Sequence, residues 1–588
     1  MAPPPPYLST PSATAPVAST RATATTTTMP NGKAAMANGT TLKAEPAIDA
    51  AHAANDHART DENTADGAAP RSAQAQELGT LLSALTHMLL QHVDENHDPA
   101  TRVLHYVPPR DLAARLHLTF PDAGCDLPSL LAAFQSTLDY SVRTGHPLFM
   151  DKLYTGPTPV AIAAELLSVA LNINTHVFSV SPVGTLMEMA CLRELRRLIG
   201  YPTNGSGLTL PGGSMSNLVA MCTARNVMFP SIKTDGLHSL PPLAVFTSVQ
   251  SHYSVEKSAM ILGIGRKYVF AVECTPDGRM LASDLDTQIL NAKAQGCLPF
   301  FVNATAGTTV LCAYDPVREI AAVTKRHQLW LHVDGSWGGT VMFSDKLRHK
   351  LDGVELSDSY VVNPHKMLGV PLQCSCLLVA HPPTTMARAN SSKANYLYHA
   401  PSPAPGANFA DPDSDEEEEP LYDLGNLGLG CGRRADGVKL FLSWKWAGTA
   451  GYASRVEAAF ARADALRAKV AAHPKLARVM ESGETGANVC FWYVPADARA
   501  DVKGWRERLV KDPREFARVA DLTARMRVEM VQRGKILVDY APLPGPNAVP
   551  NFWRVPMNSP AVTDKHLDAI VDEIVAIGDL VSEQDASA

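Results

Sequence analysis

Several things are missing from this sequence, and each absence closes off a class. No apolar run among the 588 residues reaches the roughly 18–20 needed to cross a bilayer, so a helical membrane protein is not expected. Basic residues are not in excess. The net charge is -7, which argues against a nucleic-acid partner or a cationic membrane surface. There is no CxxC pair, so no metal-ligand set is expected. The ten cysteines are scattered, and only Cys374 and Cys376 are close neighbours. They alternate along a predicted strand, point to opposite faces and cannot easily pair. Free thiols in a reducing compartment, the cytoplasm, are therefore expected. Residues 1–72 have few large apolar side chains and cannot offset the entropy of ordering, so a disordered low-complexity tail is predicted there. That tail lacks the compact apolar run of a secretory signal. Its single early arginine and its many prolines argue against an Arg-rich import helix.

What is present is enough apolar material for a large core, at 46% of residues. Helical spacing of leucines begins in Ser72–Val93, within a predicted N-terminal helical segment over 73–170. Over 171–438 short runs such as "LAVFTS", "LPFFVNAT", "LWLHVDG" and "CSCLLVA" alternate with helical patterns such as "PVREIAAVTKRHQ". This alternation predicts an α/β domain with a mostly parallel sheet flanked by helices. Ligands in such sheets bind at the carboxyl ends of strands. The Pro-, Gly- and acid-rich stretch 399–430 predicts a mobile loop, and "SDEEEE" within it a solvated acidic tract. Residues 439–588 predict a smaller C-terminal α+β domain, with a helix from 453 onward followed by strands in "ANVCFWYVP" and "KILVDYAPL".

Four local features carry chemistry. "LPGGSMSN" places Gly213 and Ser214 at a helix start, where converging N–H groups favour an anion. His252 follows a strand in "FTSVQSHYS". Asp334 ends the apolar strand "LWLHVDG", and a carboxylate there needs a cationic or N–H partner. Lys366 lies in "SYVVNPHK", just outside a core strand. Each alone has an ordinary structural explanation: a turn, a structural histidine, a capped carboxylate, a surface charge. Together they match pyridoxal 5'-phosphate, which needs an amine for its aldehyde, an anion near its ring nitrogen, a stacking ring and a phosphate cradle.

The sequence also resembles a family, the group II pyridoxal-phosphate-dependent amino-acid decarboxylases, nearest the glutamate and cysteine-sulfinate decarboxylase branch. "NPHKMLGVPLQCS", "NATAGTTVLCAYDPV", "HVDGSWGG", "TSVQSHYS" and "CGRRADGVKLFLSWKWAGTAGY" carry the resemblance, which runs over about residues 76–580. It implies the aspartate-aminotransferase-like fold (fold type I) and a homodimer. It implies that Lys366 bonds the cofactor, Asp334 pairs with the ring nitrogen, His252 stacks on the ring and Thr309 lies near the ring oxygen. Gly213, Ser214, Ser359, Asn363 and His365 would hold the phosphate. Arg554, in "NFWRVPMNSP", would bind a substrate carboxylate.

Two stretches depart from the family pattern. A Gln-Leu-Ser triplet lines the substrate pocket in the glutamate branch, and Lys152, Leu153 and Tyr154 stand in its place. Added charge and added bulk favour a short acidic substrate, aspartate giving β-alanine, over glutamate giving GABA or cysteine sulfinate giving hypotaurine. In the other reading Lys152 faces solvent. Leu372 matches the glutamate and sulfinate enzymes rather than the insect aspartate enzymes. In the acidic loop, an ungapped count puts Glu418 where the family has a proton-donating tyrosine. An oxidative decarboxylase giving an aldehyde is the corresponding alternative. A catalytically dead binding subunit is disfavoured, because Lys366 and Asp334 are both present.

Overall fold

The computed structural model describes residues 71–392, 394, 397, 421–480, 486–545 and 548–587. Residues 1–70 of the predicted tail and 399–420 of the acidic loop, with Glu418, lie outside the described residues. After the two-residue β1 (Phe149–Met150), seven strands follow: β2 (Ser206–Leu210), β3 (Leu243–Ser248), β4 (Val269–Val272), β5 (Leu298–Thr305), β6 (Trp330–Gly335), β7 (Ser359–Val362) and β8 (Ser375–Val379). They form one sheet in the order β2-β8-β7-β6-β5-β3-β4. β3 to β7 pair in parallel, and β8 is antiparallel to both of its neighbours. β2 therefore runs in the same direction as β3 to β7, and the carboxyl ends of all six meet at one edge.

The sheet is buried on both faces, which is why its strands read as continuous apolar runs. Along β3, Ala244 and Phe246 face one core while Leu243 and Val245 face the other. The fold is thus the α/β architecture expected.

A second sheet, β1-β11-β12-β10-β9, is built from β9 (Leu476–Arg478), β10 (Asn488–Tyr493), β11 (Leu537–Leu543), β12 (Val549–Pro556) and β1, which pairs in parallel with β11. The helix predicted from 453 begins earlier, at Asp436, and runs to Ala472. Gly448 kinks it at φ 67, a left-handed angle that glycine adopts without strain. Before the kink, Leu440 and Trp444 pack into the first sheet's core. Beyond it, Ala463, Leu466 and Val470 pack into the second. One helix thereby fixes the second sheet against the edge where the parallel strands end.

Candidate active site

At that edge lies a cavity of about 210 Å³. The segments that leave β2, β3, β5, β6 and β7 contribute to it. Gly213, Ser214 and Asn217 come from the helix after β2, His252 from the loop after β3, and Thr309 from the loop after β5. Asp334 comes from β6 itself, and Asn363, His365 and Lys366 from the loop after β7. Of the thirteen residues expected at the site from sequence, Lys366, His252, Asp334, Gly213, Ser214, Thr309, Asn363 and His365 line this cavity, and Ser359, Arg554, Lys152, Leu153 and Tyr154 do not.

Asp334 is 5% exposed, and both of its oxygens are held. The Ser336 N–H donates to Oδ1 at 3.0 Å, and Asn217 Nδ2 donates to Oδ2 at 2.9 Å. Burial pushes its pKa up. Those two hydrogen bonds and the nearby His252 and Lys366 outweigh burial and hold it below the ordinary aspartate value. Asp334 is therefore a carboxylate in the pocket.

Lys366 is perturbed in the opposite sense. Burial lowers its pKa to about 8, Asp334 partly opposes this, and Arg554 adds to it. No carboxylate among the described residues lies within ion-pair distance of its amine. A lysine in this state carries a neutral amine about one time in ten at pH 7, against about one in several thousand for an ordinary lysine.

Asn217 was not found from sequence, yet it orders the site. Its Nδ2 donates to Asp334 and also to Ser254 Oγ at 2.9 Å, so its Oδ1 must accept from His332 Nε2 at 3.1 Å. Burial lowers the His332 pKa to about 4, so the ring is neutral and its Nδ1 is an acceptor. Ser359 Oγ then donates to that Nδ1 at 2.8 Å and accepts from Trp330 Nε1 at 2.8 Å. This corrects the reading of Ser359 as a phosphate contact. It lies fully buried in β7 and its hydroxyl is committed to two side chains of β6. Its role is to fix His332, and through Asn217 to fix Asp334.

The anion cradle sits at the start of the helix Gly213–Met228. A Cβ on Gly213 would come within 2.5 Å of Ser336 Oγ and 2.8 Å of Asn363 Nδ2. Asn363 Oδ1 is already taken by Ser375 Oγ at 2.6 Å, which leaves its amide nitrogen as a donor facing the glycine. Ser336 Oγ is buried with no partner. His365 Nδ1 lies 2.6 Å from the Cys374 carbonyl and 3.1 Å from the Cys374 N–H, and burial lowers its pKa to about 4, so the ring is neutral. An unpartnered hydroxyl, a free amide donor and a helix start around a space that no side chain could occupy suit a phosphate. With the unpaired amine of Lys366 and the carboxylate of Asp334, they fit pyridoxal phosphate. Gly213→Ala is expected to weaken cofactor retention about tenfold, because backbone and Ser336 must both move. Equilibrium dialysis followed by absorbance measures this, and an unchanged dissociation constant would remove Gly213 from the cradle.

Arg554 reaches the site from β12. Its Nη1 donates to the Thr309 carbonyl at 3.4 Å and its Nη2 to the Asp151 carbonyl at 2.8 Å. Its Nε is buried without a partner. The guanidinium thus stands behind Thr309, close enough to lower the pKa of Lys366. Lys152, Leu153 and Tyr154 are not brought to the cavity. Lys152 donates to Asp539 at 2.6 Å and pairs with Asp151 at 3.2 Å, with about half of its side chain exposed. Leu153 joins the first sheet's core, and Tyr154 packs on Phe149 at a ring separation of 5.8 Å. Two carboxylates already neutralise the lysine expected to greet the substrate.

Comparisons with known proteins follow the geometry. Residues 109–494 match the model of the pyridoxal-dependent decarboxylase conserved domain. The crystal structure of mouse CSAD, cysteine sulfinic acid decarboxylase, is 34% identical over 86% of this chain and 99% of that one, with a TM-score of 0.77. Two more distant structures share the fold. Oryza sativa TDC, solved with PLP and tryptamine, is 22% identical over 87% of this chain and all (100%) of that one, at a TM-score of 0.74. Rhodiola rosea 4-hydroxyphenylacetaldehyde synthase is 21% identical over 86% and 99%, at a TM-score of 0.71.

Proposed function

Because the chain belongs to the pyridoxal-dependent decarboxylase family and is a pyridoxal-phosphate enzyme, we propose that it removes the α-carboxylate of a short acidic amino acid, with aspartate giving β-alanine as the first reading. Arg554 carries this reading. It is a buried guanidinium with an unpartnered Nε, held beside the reactive lysine. Planar two-point pairing with a carboxylate is what such a group does best, and lysine could not match it. Cysteine sulfinate giving hypotaurine is the second reading, supported by the 34% identity to mouse CSAD. Glutamate giving GABA is the third. The oxidative alternative rested on Glu418, which lies outside the described residues.

The chain's residues divide the work. The Gly213 helix start, Ser336 and Asn363 would hold the phosphate, and His252 would cover the ring. When bound, pyridoxal phosphate supplies the sink for the electron pair released as the Cα–carboxylate bond breaks. Asp334, kept ionised by its two donors, would hold a proton at the ring nitrogen and so deepen that sink. Lys366, with its pKa near 8, would present a neutral amine to the cofactor aldehyde and would take up and return protons near neutral pH. Arg554 orients the side-chain carboxylate, which leaves the α-carboxylate as the group to depart.

A product assay with purified, cofactor-loaded protein on aspartate, cysteine sulfinate and glutamate tests the substrate. Aspartate is expected to have the highest kcat/KM, about tenfold or more above glutamate. Arg554→Gln is expected to raise KM for the acidic substrate about 10- to 100-fold, the worth of a charge-assisted pair. A preference for glutamate would sink the short-substrate reading, and an unchanged KM would sink the role of Arg554.

We extend the proposal to a cytoplasmic homodimer. The helix Pro159–Leu171 exposes Ile162, Leu166, Leu167, Val169 and Leu171, an apolar face of the kind that a second subunit covers. The described cysteines are all free, in keeping with a reducing compartment. Among the described residues no helix is long and apolar enough to cross a membrane.

A further inference from the structure

A second cavity, of about 430 Å³, lies along the kinked helix Asp436–Ala472 and shares no lining residue with the first, although Leu368 in its wall is two residues beyond Lys366. Its walls are mainly apolar, with Leu368 on one side and Trp446, 79% exposed, at the rim. Four polar residues of the helix also line it: Ser443, Tyr452, Arg455 and Arg462. Beyond the Gly448 kink, Tyr452, Arg455 and Arg462 follow the helical repeat, which brings these three to one face, and Ser443 joins them from the segment before the kink.

These four residues present polar atoms that the protein does not use. Ser443 Oγ, Tyr452 Oη, Arg455 Nη2, and Arg462 Nε and Nη2 are all buried without a hydrogen-bond partner. Ser443 and Tyr452 are each 3% exposed. Such groups are rare in native structures and call for a specific occupant. The guanidiniums are close enough to repel, and Arg462 adds to the burial that lowers the Arg455 pKa to about 10. Neither forms a salt bridge with a carboxylate of the described residues. Arg455 is not loose, because its Nε donates to the Met367 carbonyl at 2.7 Å and its planar head packs over Gly369. Two guanidiniums and two hydroxyls facing one apolar space, with no anion supplied by the chain, are complementary to an oxyanion carried on an apolar body.

We propose that this cavity binds a small organic anion. Its phosphate or carboxylate head pairs with Arg455 and Arg462 and takes hydrogen bonds from Ser443 and Tyr452, while its apolar part packs on Leu368 and Trp446. The site is separate from the decarboxylation site, and the proposal does not depend on which amino acid that site consumes.

The experiment uses the full-length, cofactor-loaded protein and two probes. Inorganic phosphate supplies the head alone, and phenyl phosphate supplies the head with an aromatic body. Isothermal titration calorimetry is expected to show one saturable phenyl phosphate site per chain, tighter than for inorganic phosphate. Arg462→Gln is expected to weaken it about tenfold or more, and Trp446→Ala several-fold, with turnover of both variants within about twofold of the parent. Absence of saturable binding would overturn the proposal, as would binding that strips the cofactor's visible absorbance. Equal affinity in Arg462→Gln would also overturn it. So would a loss of dimer in sedimentation velocity for that variant without a change in probe affinity, since the pocket would then seat a second copy. Should Arg462→Gln fail to fold, the exposed Trp446→Ala decides: unchanged affinity there rejects the site.

Discussion

Lys366→Ala is expected to lower decarboxylation by about three orders of magnitude or more, the largest effect of any single change. The substitution removes the only amine that the loop after β7 places in the cavity. Among the described residues no second lysine lines that space. The protein itself should tolerate the change. Burial lowers the Lys366 pKa to about 8, below the roughly 10.4 of an unfolded lysine, so its charge opposes folding. That cost is fully present below pH 8 and fades as the pH rises toward 10.4. The variant without cofactor is therefore expected to melt no lower than the parent at pH 7, and the two should converge in alkali. Inactivity with an undiminished Tm separates lost chemistry from lost structure. Partial recovery of turnover by added methylamine, an amine small enough to enter the vacated space, is the positive control. Residual activity above about one percent without such an amine would reject the assignment.

Asp334→Asn is expected to lower kcat about 10²- to 10⁴-fold with a much smaller change in KM. The geometry explains the split. In the proposed site Asp334 would lie at the cofactor ring rather than at the substrate carboxylate, so its charge would act on the developing electron pair more than on binding. The amide also disrupts the local pairing. Asn217 Nδ2 and the Ser336 N–H are both donors, and an asparagine presents only one acceptor oxygen to them. Weaker cofactor retention and a shifted visible spectrum should accompany the kinetic loss. Steady-state kinetics with saturating cofactor measure the effect, and a kcat within tenfold of the parent would show that the ring nitrogen does not need this carboxylate.

The sequence made the reacting residues legible for a physical reason. Lys366, Asp334, His252 and Gly213 each stand where an apolar run gives way to polar or small residues, and in a parallel sheet all such junctions lie on one edge. Ser359 was misread because it looks like part of the same polar junction. Strand pairing with β6 puts it four residues too early, inside the sheet, where Trp330 and His332 claim its hydroxyl. Asn217 was overlooked because its signal is one helical turn beyond the glycines, with no local mark that its amide meets a carboxylate 117 residues later. Lys152 failed differently. Its charge is read correctly from sequence, but Asp539, 387 residues away, neutralises it. β12, "VPNFWRVP", was hidden by prolines, which sit near the two ends of the strand rather than in its middle. Local chemistry and strand–helix alternation were thus readable, whereas pairings over hundreds of residues were not.

The pairing of β1 with β11 has a consequence for how the chain comes into being. Phe149 is in register with Leu537 and Met150 with Val538. A ribosome adding about 5–20 residues per second needs roughly 20–80 s to travel from one to the other. Throughout that interval the apolar Phe149–Met150 segment has no native strand to pair with. Arg554 emerges later still, so a nascent chain can assemble the loops around Lys366 well before the guanidinium proposed to hold the substrate is made. Newly made protein therefore passes through a long window in which it is vulnerable to aggregation, and its yield in a cell should depend on chaperones that shelter the waiting segment.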